Sequence, residues 1–355
     1  MKKIVLAAGL FGAVNVGAVE VSPYIVNGTD IISALKYPSF VSLFFDGLDY
    51  DGRYGEGPFC GATLLDEQHV LTAAHCVYGD RGKQLFMSAV PQLLDETNFP
   101  HQVMQRVMVN EYYYPDTYND DTLTDDIAIL KLASPITAVA SYAAFVPLAD
   151  IANYRKDSEA FFAVGHGNTQ SGDDATTKLQ DTQLEFVPNS ECNVYRNTDT
   201  SSNLCMTGAD TVTYDNATCQ GDSGGPLYWD GKQVGVTSFG PTTCGQTNIT
   251  PNSIFTEVAR HEEWIQSVVS GEVSPKVTVS DVDRYNYLGL PIPPSLNVSE
   301  GTEDSGSTTE INAGSGTTNS NTVTAASQSS GGGSLGLAML SILGLLSFRR
   351  QVLSK

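Results

Sequence analysis

Eight consecutive residues, Cys219-Gln220-Gly221-Asp222-Ser223-Gly224-Gly225-Pro226, carry the clearest chemistry in this chain. A serine set among glycines leaves room for a substrate backbone, and glycine accepts sharp backbone angles that other residues resist. The amides of Gly221 and Ser223 can converge on one point as a donor pair for a developing oxyanion. These features suit a hydroxyl that attacks a carbonyl. Asp222 makes a separate demand, because a buried carboxylate beside that serine needs a cationic partner.

Three further stretches resemble the trypsin/chymotrypsin family of serine proteases. Val70-Leu71-Thr72-Ala73-Ala74-His75-Cys76 matches the family's histidine motif. The resemblance makes His75 the general base, a role suited to imidazole because it titrates near neutral pH. Asp125-Asp126-Ile127-Ala128-Ile129-Leu130 offers two carboxylates. The family pattern puts the catalytic aspartate directly before the apolar strand, which selects Asp126 to orient His75 and stabilise its imidazolium. Asp125 is then expected to be a solvated loop residue. The order His75, Asp126, Ser223 also fits this family and differs from the subtilisin-like and α/β-hydrolase orders. Ile25-Val26-Asn27-Gly28 resembles the family's mature N-terminus. That likeness implies that 19–24 is an activation propeptide, and that the ammonium freed at Ile25 folds inward onto Asp222. The resemblance spans roughly residues 25–270.

Substrate preference follows from the same comparison. Cleavage after Lys or Arg needs a carboxylate six positions before the serine, and that position is Ala217. The other substrate-binding positions implied are Ser238, Gly240 and Ser253, none of them acidic. An unpaired cationic side chain buried there would be costly. The expectation is therefore cleavage after aromatic or large apolar residues, with Asp215 the nearby carboxylate that could reverse it. The alternatives are trypsin-like cleavage, or a non-catalytic surface binding module, which would ordinarily have lost one of the three side chains. Tyr24, just before the activation junction, suits the expected pocket, so the enzyme can be expected to mature itself or be matured by a similar protease.

The elements that must hold these residues read as strands: 37–46, Phe59 to Leu65, Phe161 to Gly167 and Val234 to Gly240, with helical spacing over Val258 to Val269. The resemblance implies an all-β fold of two six-stranded antiparallel barrels with the active site between them and a C-terminal helix. It also implies three disulfides. Cys60–Cys76 would pin the histidine segment, contributing about 3 kcal/mol on the chain-entropy model. Cys192–Cys205 would bracket a polar loop, and Cys219–Cys244 would cross the pocket. His166 occupies the family's usual tryptophan position and is expected on a surface turn. No metal or organic cofactor is implied.

The chain has 355 residues, 41% of them hydrophobic, enough to fill one large or two small cores. A formal charge of −21 argues against nucleic acid as a partner, since phosphates demand a basic footprint. The expected partners are protein or peptide substrates, met by a monomer. Residues 1–18 read as a signal peptide, with Lys2 and Lys3 before an apolar run and Val16-Gly17-Ala18 at its end. Residues 271–330 read as a largely disordered linker, dominated over 299–334 by Ser, Thr, Gly, Asn and acidic residues. The stretch 273–298 is open between docking on the protease and leading into that spacer. Gly331-Gly332-Gly333, the apolar run Leu335 to Phe348 and Arg349-Arg350 close the chain. From Gly331 to Phe348 a helix would reach roughly 27 Å, just enough for a thin bilayer. This ending (331–355) resembles the Gly-Gly-type sorting signals of Gram-negative bacteria. It implies export machinery, a rhombosortase-like protease, and a secreted or cell-surface enzyme anchored transiently or permanently.

Overall fold

The computed structural model describes residues 25–296 apart from 140, 170, 173–175, 193–198 and 210–212. The expected signal peptide, the propeptide 19–24, and the spacer and sorting signal from 297 onward lie outside the described residues. Among the described residues no helix is long and apolar enough to cross a membrane.

Twelve strands close into two antiparallel barrels of six. The first contains Phe40–Gly47, Cys60–Leu64, His69–Thr72, Met87–Pro91, Val107–Tyr113 and Ala128–Leu132, and closes where Val107–Tyr113 pairs with Ala128–Leu132. The second contains Phe161–Gly165, Gln180–Val187, Asn203–Gly208, Pro226–Trp229, Lys232–Phe239 and Ser253–Glu257. It closes where Phe161–Gly165 pairs with both Gln180–Val187 and Pro226–Trp229. Closure removes the unpaired edges that an open sheet exposes.

Both faces of the strand Phe40–Gly47 carry buried apolar residues because each packs on a different cluster. Val41 and Leu43 point into the barrel core with Leu64, Leu71 and Ile129. Phe40 and Phe44 point outward, Phe44 beneath Leu93 and Phe99. The period of two thus carries two cores rather than a core and a wet face. The six cysteines pair Cys60–Cys76, Cys192–Cys205 and Cys219–Cys244, as the resemblance implied.

The C-terminal helix opens as a 3₁₀ turn, Val258–His261, and continues as Glu262–Val269 with Ile265 and Val268 buried one turn apart. Beyond it the chain does not enter a linker at 271. Val277–Thr278 pairs with Glu111 and Tyr112 of the first barrel, and Asp281–Leu288 forms a second helix. Ser280 and Asp283 form a reciprocal capping box at its start, and Gly289 ends it in the left-handed region. The stretch that the sequence left open is docked as far as it is described.

Candidate active site

His75 sits on a 3₁₀ turn, Ala74–Cys76, directly after the strand His69–Thr72. The Cys60–Cys76 disulfide ties this turn to the neighbouring strand, and Cys76 Sγ lies 3.9 Å from His75 Nε2. Cys60, Cys76 and His75 therefore cluster as metal ligands would, but both sulfurs are spent in the disulfide. Asp126 precedes the strand Ala128–Leu132, which pairs residue for residue with His69–Thr72. That register carries the carboxylate to the imidazole across 51 residues of sequence.

Asp126 is fully buried and well supplied with donors. Its Oδ1 accepts from the His75 backbone N–H at 2.9 Å, and its Oδ2 lies 2.7 Å from His75 Nδ1. The Ser238 hydroxyl donates to the same Oδ2, and Thr256 Oγ1 donates to the Asp126 carbonyl at 2.8 Å. A carboxylate removed from water needs such partners, and charge-assisted bonds are the stronger kind. The sequence placed Ser238 among the substrate contacts. The structure keeps Ser238 in the wall of the pocket beside Ser223 and also turns its hydroxyl onto Asp126, a contact no local pattern could give because the two lie 112 positions apart.

Asp125 lies in a turn, as expected, but is only partly exposed and has a side-chain partner. Its carboxylate lies 3.1 Å from His261 Nε2, and His261 Nδ1 lies 3.1 Å from the Glu257 carbonyl. The two adjacent aspartates thus face two different histidines. Asp125 takes a positive φ of 51°, which aspartate tolerates better than most residues.

The Ser223 loop bridges the barrels. Gly61 N–H donates to the Ser223 carbonyl at 2.8 Å, Gly224 N–H to Thr237 at 2.8 Å, and Thr237 N–H to Gly225 at 2.8 Å. Gly224 allows this closeness: a Cβ there would lie 2.1 Å from Thr72 Oγ1 and 2.5 Å from the Gly61 carbonyl. Its φ of 76° and that of Gly221, 102°, are also glycine conformations. The Ser223 hydroxyl is half-buried and, among the described residues, makes no hydrogen bond to His75 or to another group. Such contacts are commonly long without substrate and tighten when it binds.

Asp222 is buried, accepting from Gly167 N–H and Cys219 N–H at 2.8 Å each. A Cβ at Gly165 or Gly167 would strike its carboxylate, which explains both glycines. Ile25 is buried, and Val26 packs with Ala217, Cys219 and Cys244.

A pocket of about 220 Å³ opens beside Ser223, lined by Thr218, Gln220, Ser238, Phe239, Gly240 and Thr242 among others, with no acidic residue in its wall among the described residues. Ala217 and Ser253 stand behind that wall, and Ser253 Oγ accepts from Thr218 N–H at 3.0 Å. Asp215 is buried and does not line the pocket.

His166 is buried, not on a surface turn. Its Nε2 lies 3.1 Å from the Leu93 carbonyl and its Nδ1 has no partner among the described residues, so it wedges the second barrel against a loop of the first. Burial holds its pKa down to about 4. A proton it refuses when folded but accepts at 6.5 when unfolded costs stability as pH falls below 6.5. The loss is complete near pH 4 and reaches roughly 2 kcal/mol by pH 5. Urea unfolding at pH 7 and pH 5 should show that difference shrinking by most of this amount in a His166→Phe variant. An unchanged difference would mean that protonation of His166 does not govern it.

Comparisons with known proteins agree with this geometry. The alkaline C trypsin of Manduca sexta is 31% identical over 272 residues, covering 75% of this chain and 99% of that protein. A mouse kallikrein 1-related peptidase-like b4 is 29% identical, covering 74% and 97%. The fold is similar to that of neuropsin, a serine protease expressed in the limbic system of mouse brain. That alignment has a TM-score of 0.54 at 24% identity and covers 68% of this chain and 98% of that one. Residues 28–265 match the Trypsin family, and the chain is a member of that family of serine endopeptidases.

Proposed function

We propose that this protein hydrolyses peptide bonds through Ser223, His75 and Asp126, after aromatic or large apolar residues. Ser223 Oγ attacks the scissile carbonyl while His75 Nε2 takes its proton and later delivers it to the leaving amine. Asp126 fixes His75 with its protonated nitrogen toward the carboxylate. The amides of Gly221 and Ser223 receive the oxyanion. The observation that carries this reading is the double contact of Asp126 with the backbone and ring of His75, which leaves Nε2 as the imidazole's outward nitrogen.

The preference rests on the pocket wall, which among the described residues presents disulfide sulfur, aromatic, hydroxyl and amide groups and no carboxylate. An arginine entering it would surrender its hydration without a counter-charge. Matched peptide substrates differing only at the residue before the cut should favour Phe or Tyr over Arg by on the order of 10²-fold in kcat/KM. Faster cleavage after Arg would place a carboxylate, Asp215 foremost, in contact with substrate.

The proposal includes a zymogen. Cleavage after Tyr24 frees an ammonium at Ile25, and the buried Asp222 is the partner that offsets it. The neighbourhood of Val26, against Ala217 and Cys219, is consistent with that path. The reading further holds that the enzyme acts outside the cytoplasm, exported by the leader and sorted through its C-terminal segment.

A further inference from the structure

We infer that residues 271–296 form a clamp that sets the turn carrying His75, with Arg284 as its positioning residue. This inference rests on the catalytic reading above. It concerns a part of the chain beyond the family match, which ends at 265.

The clamp takes hold at two points. Met87–Pro91 pairs with the long strand Val107–Tyr113 only at Val107 and Met108, which leaves the edge beyond them open. The clamp fills it: Lys276 N–H donates to the Tyr112 carbonyl and Val279 N–H to the Asn110 carbonyl, each at 2.8 Å. The second point is Arg284, 1% exposed. Its Nε donates to the Leu85 carbonyl at 2.6 Å, Nη2 to the Val109 carbonyl at 2.8 Å and Asn110 Oδ1 at 3.2 Å, and Nη1 to Asp281 Oδ1 at 2.7 Å. A buried guanidinium is tolerated only when its fork is satisfied in this way. Tyr50 stacks below it and donates to Asp281 at 2.6 Å.

What Arg284 grips leads back to the histidine. Leu85 ends the helix Arg81–Leu85, which begins five residues after Cys76. Gln84 of that helix donates from Nε2 to the Val77 carbonyl at 2.8 Å, and Tyr112 OH donates to the Gln84 carbonyl at 2.6 Å. Val77 N–H in turn closes the His75 turn on Ala74. Hydrogen bonds joined by short stretches of backbone therefore run from the clamp through Leu85 and Gln84 to the turn that presents the imidazole.

The test uses the activated full chain with Arg284→Lys, Arg284→Met and Gln84→Met, and with Tyr154→Phe as a destabilising control in the second barrel, where Tyr154 donates to Glu257. A displaced imidazole should lower kcat by about 10-fold to 100-fold with KM little changed, and slow fluorophosphonate labelling of Ser223 in proportion. The acid limb of the kcat/KM profile should shift in the same variants. The control should lose unfolding temperature and keep its rate. If the Arg284 and Gln84 variants lose unfolding temperature while kcat and the pH profile stay as in the parent, the clamp is structural only and the inference is overturned. Should Arg284→Met fail to fold, Arg284→Lys and Gln84→Met decide. A parent enzyme that does not label at Ser223 overturns the catalytic reading, and the clamp with it.

Discussion

Replacing Ser223 by Ala is expected to lower kcat by about 10⁶-fold, the scale seen when a nucleophile acting as a unit with its base is removed. The fold gives a reason to expect an effect confined to chemistry. Ser223 is fixed through its backbone, by the bond from Gly61 N–H and those between the flanking glycines and Thr237, and its hydroxyl supports none of these contacts. The variant should therefore fold, bind peptides and unfold at nearly the parent temperature while turning over almost nothing. Burst and steady-state assays on parent and variant both cleaved after Tyr24 by an added protease, then freed of it, measure this, and a loss under 10²-fold would mean another nucleophile. The same variant reports on maturation. Its precursor should stay intact after Tyr24 when expressed alone, and clipping at the parent's rate would assign that cut to another protease.

Asp126→Asn is expected to cost about 10⁴-fold in kcat. Donors converge on this side chain: the His75 backbone N–H on Oδ1, and the Ser238 hydroxyl and His75 Nδ1 on Oδ2. An asparagine has one accepting end and one donating end. If its oxygen keeps the backbone N–H, its amide nitrogen faces His75 Nδ1 and forces the ring proton to Nε2. The base then points its proton, not its lone pair, at Ser223. KM should change little, because Asp126 is fully buried and lies behind His75 and Ser238 without lining the pocket itself. Stopped-flow and steady-state kinetics with one good peptide would check it, and a tenfold loss or less would remove Asp126 from the orienting role.

The site residues were legible because each lies in a short, ordered motif whose local backbone needs are severe. Gly221 and Gly224 announce positive φ, and the apolar run after Asp126 announces a strand in the barrel wall. Residues whose meaning depends on what packs over them were harder to read. His166 looks like a turn residue between two glycines, yet those glycines exist to admit the Asp222 carboxylate, and the turn is roofed by the loop at Leu93. Asp125 looked solvated because its partner His261 is 136 positions away. The docked stretch after 270 was ambiguous for a related reason. Its anchor is an arginine in a polar helix, and composition alone does not reveal that a first-barrel strand leaves its edge unpaired. Ser238 lines the pocket beside Ser223 as its motif implies, and only the bond from its hydroxyl to Asp126 was hidden from the sequence.

The most direct measurement is to treat the activated protein with an organofluorophosphonate and map the adduct by peptide mass spectrometry. The account predicts a single adduct on Ser223, formed in the parent and lost when His75 is replaced by Ala. An active preparation that carries no adduct, or carries it on another residue, would contradict the claim that Ser223, His75 and Asp126 work as one unit.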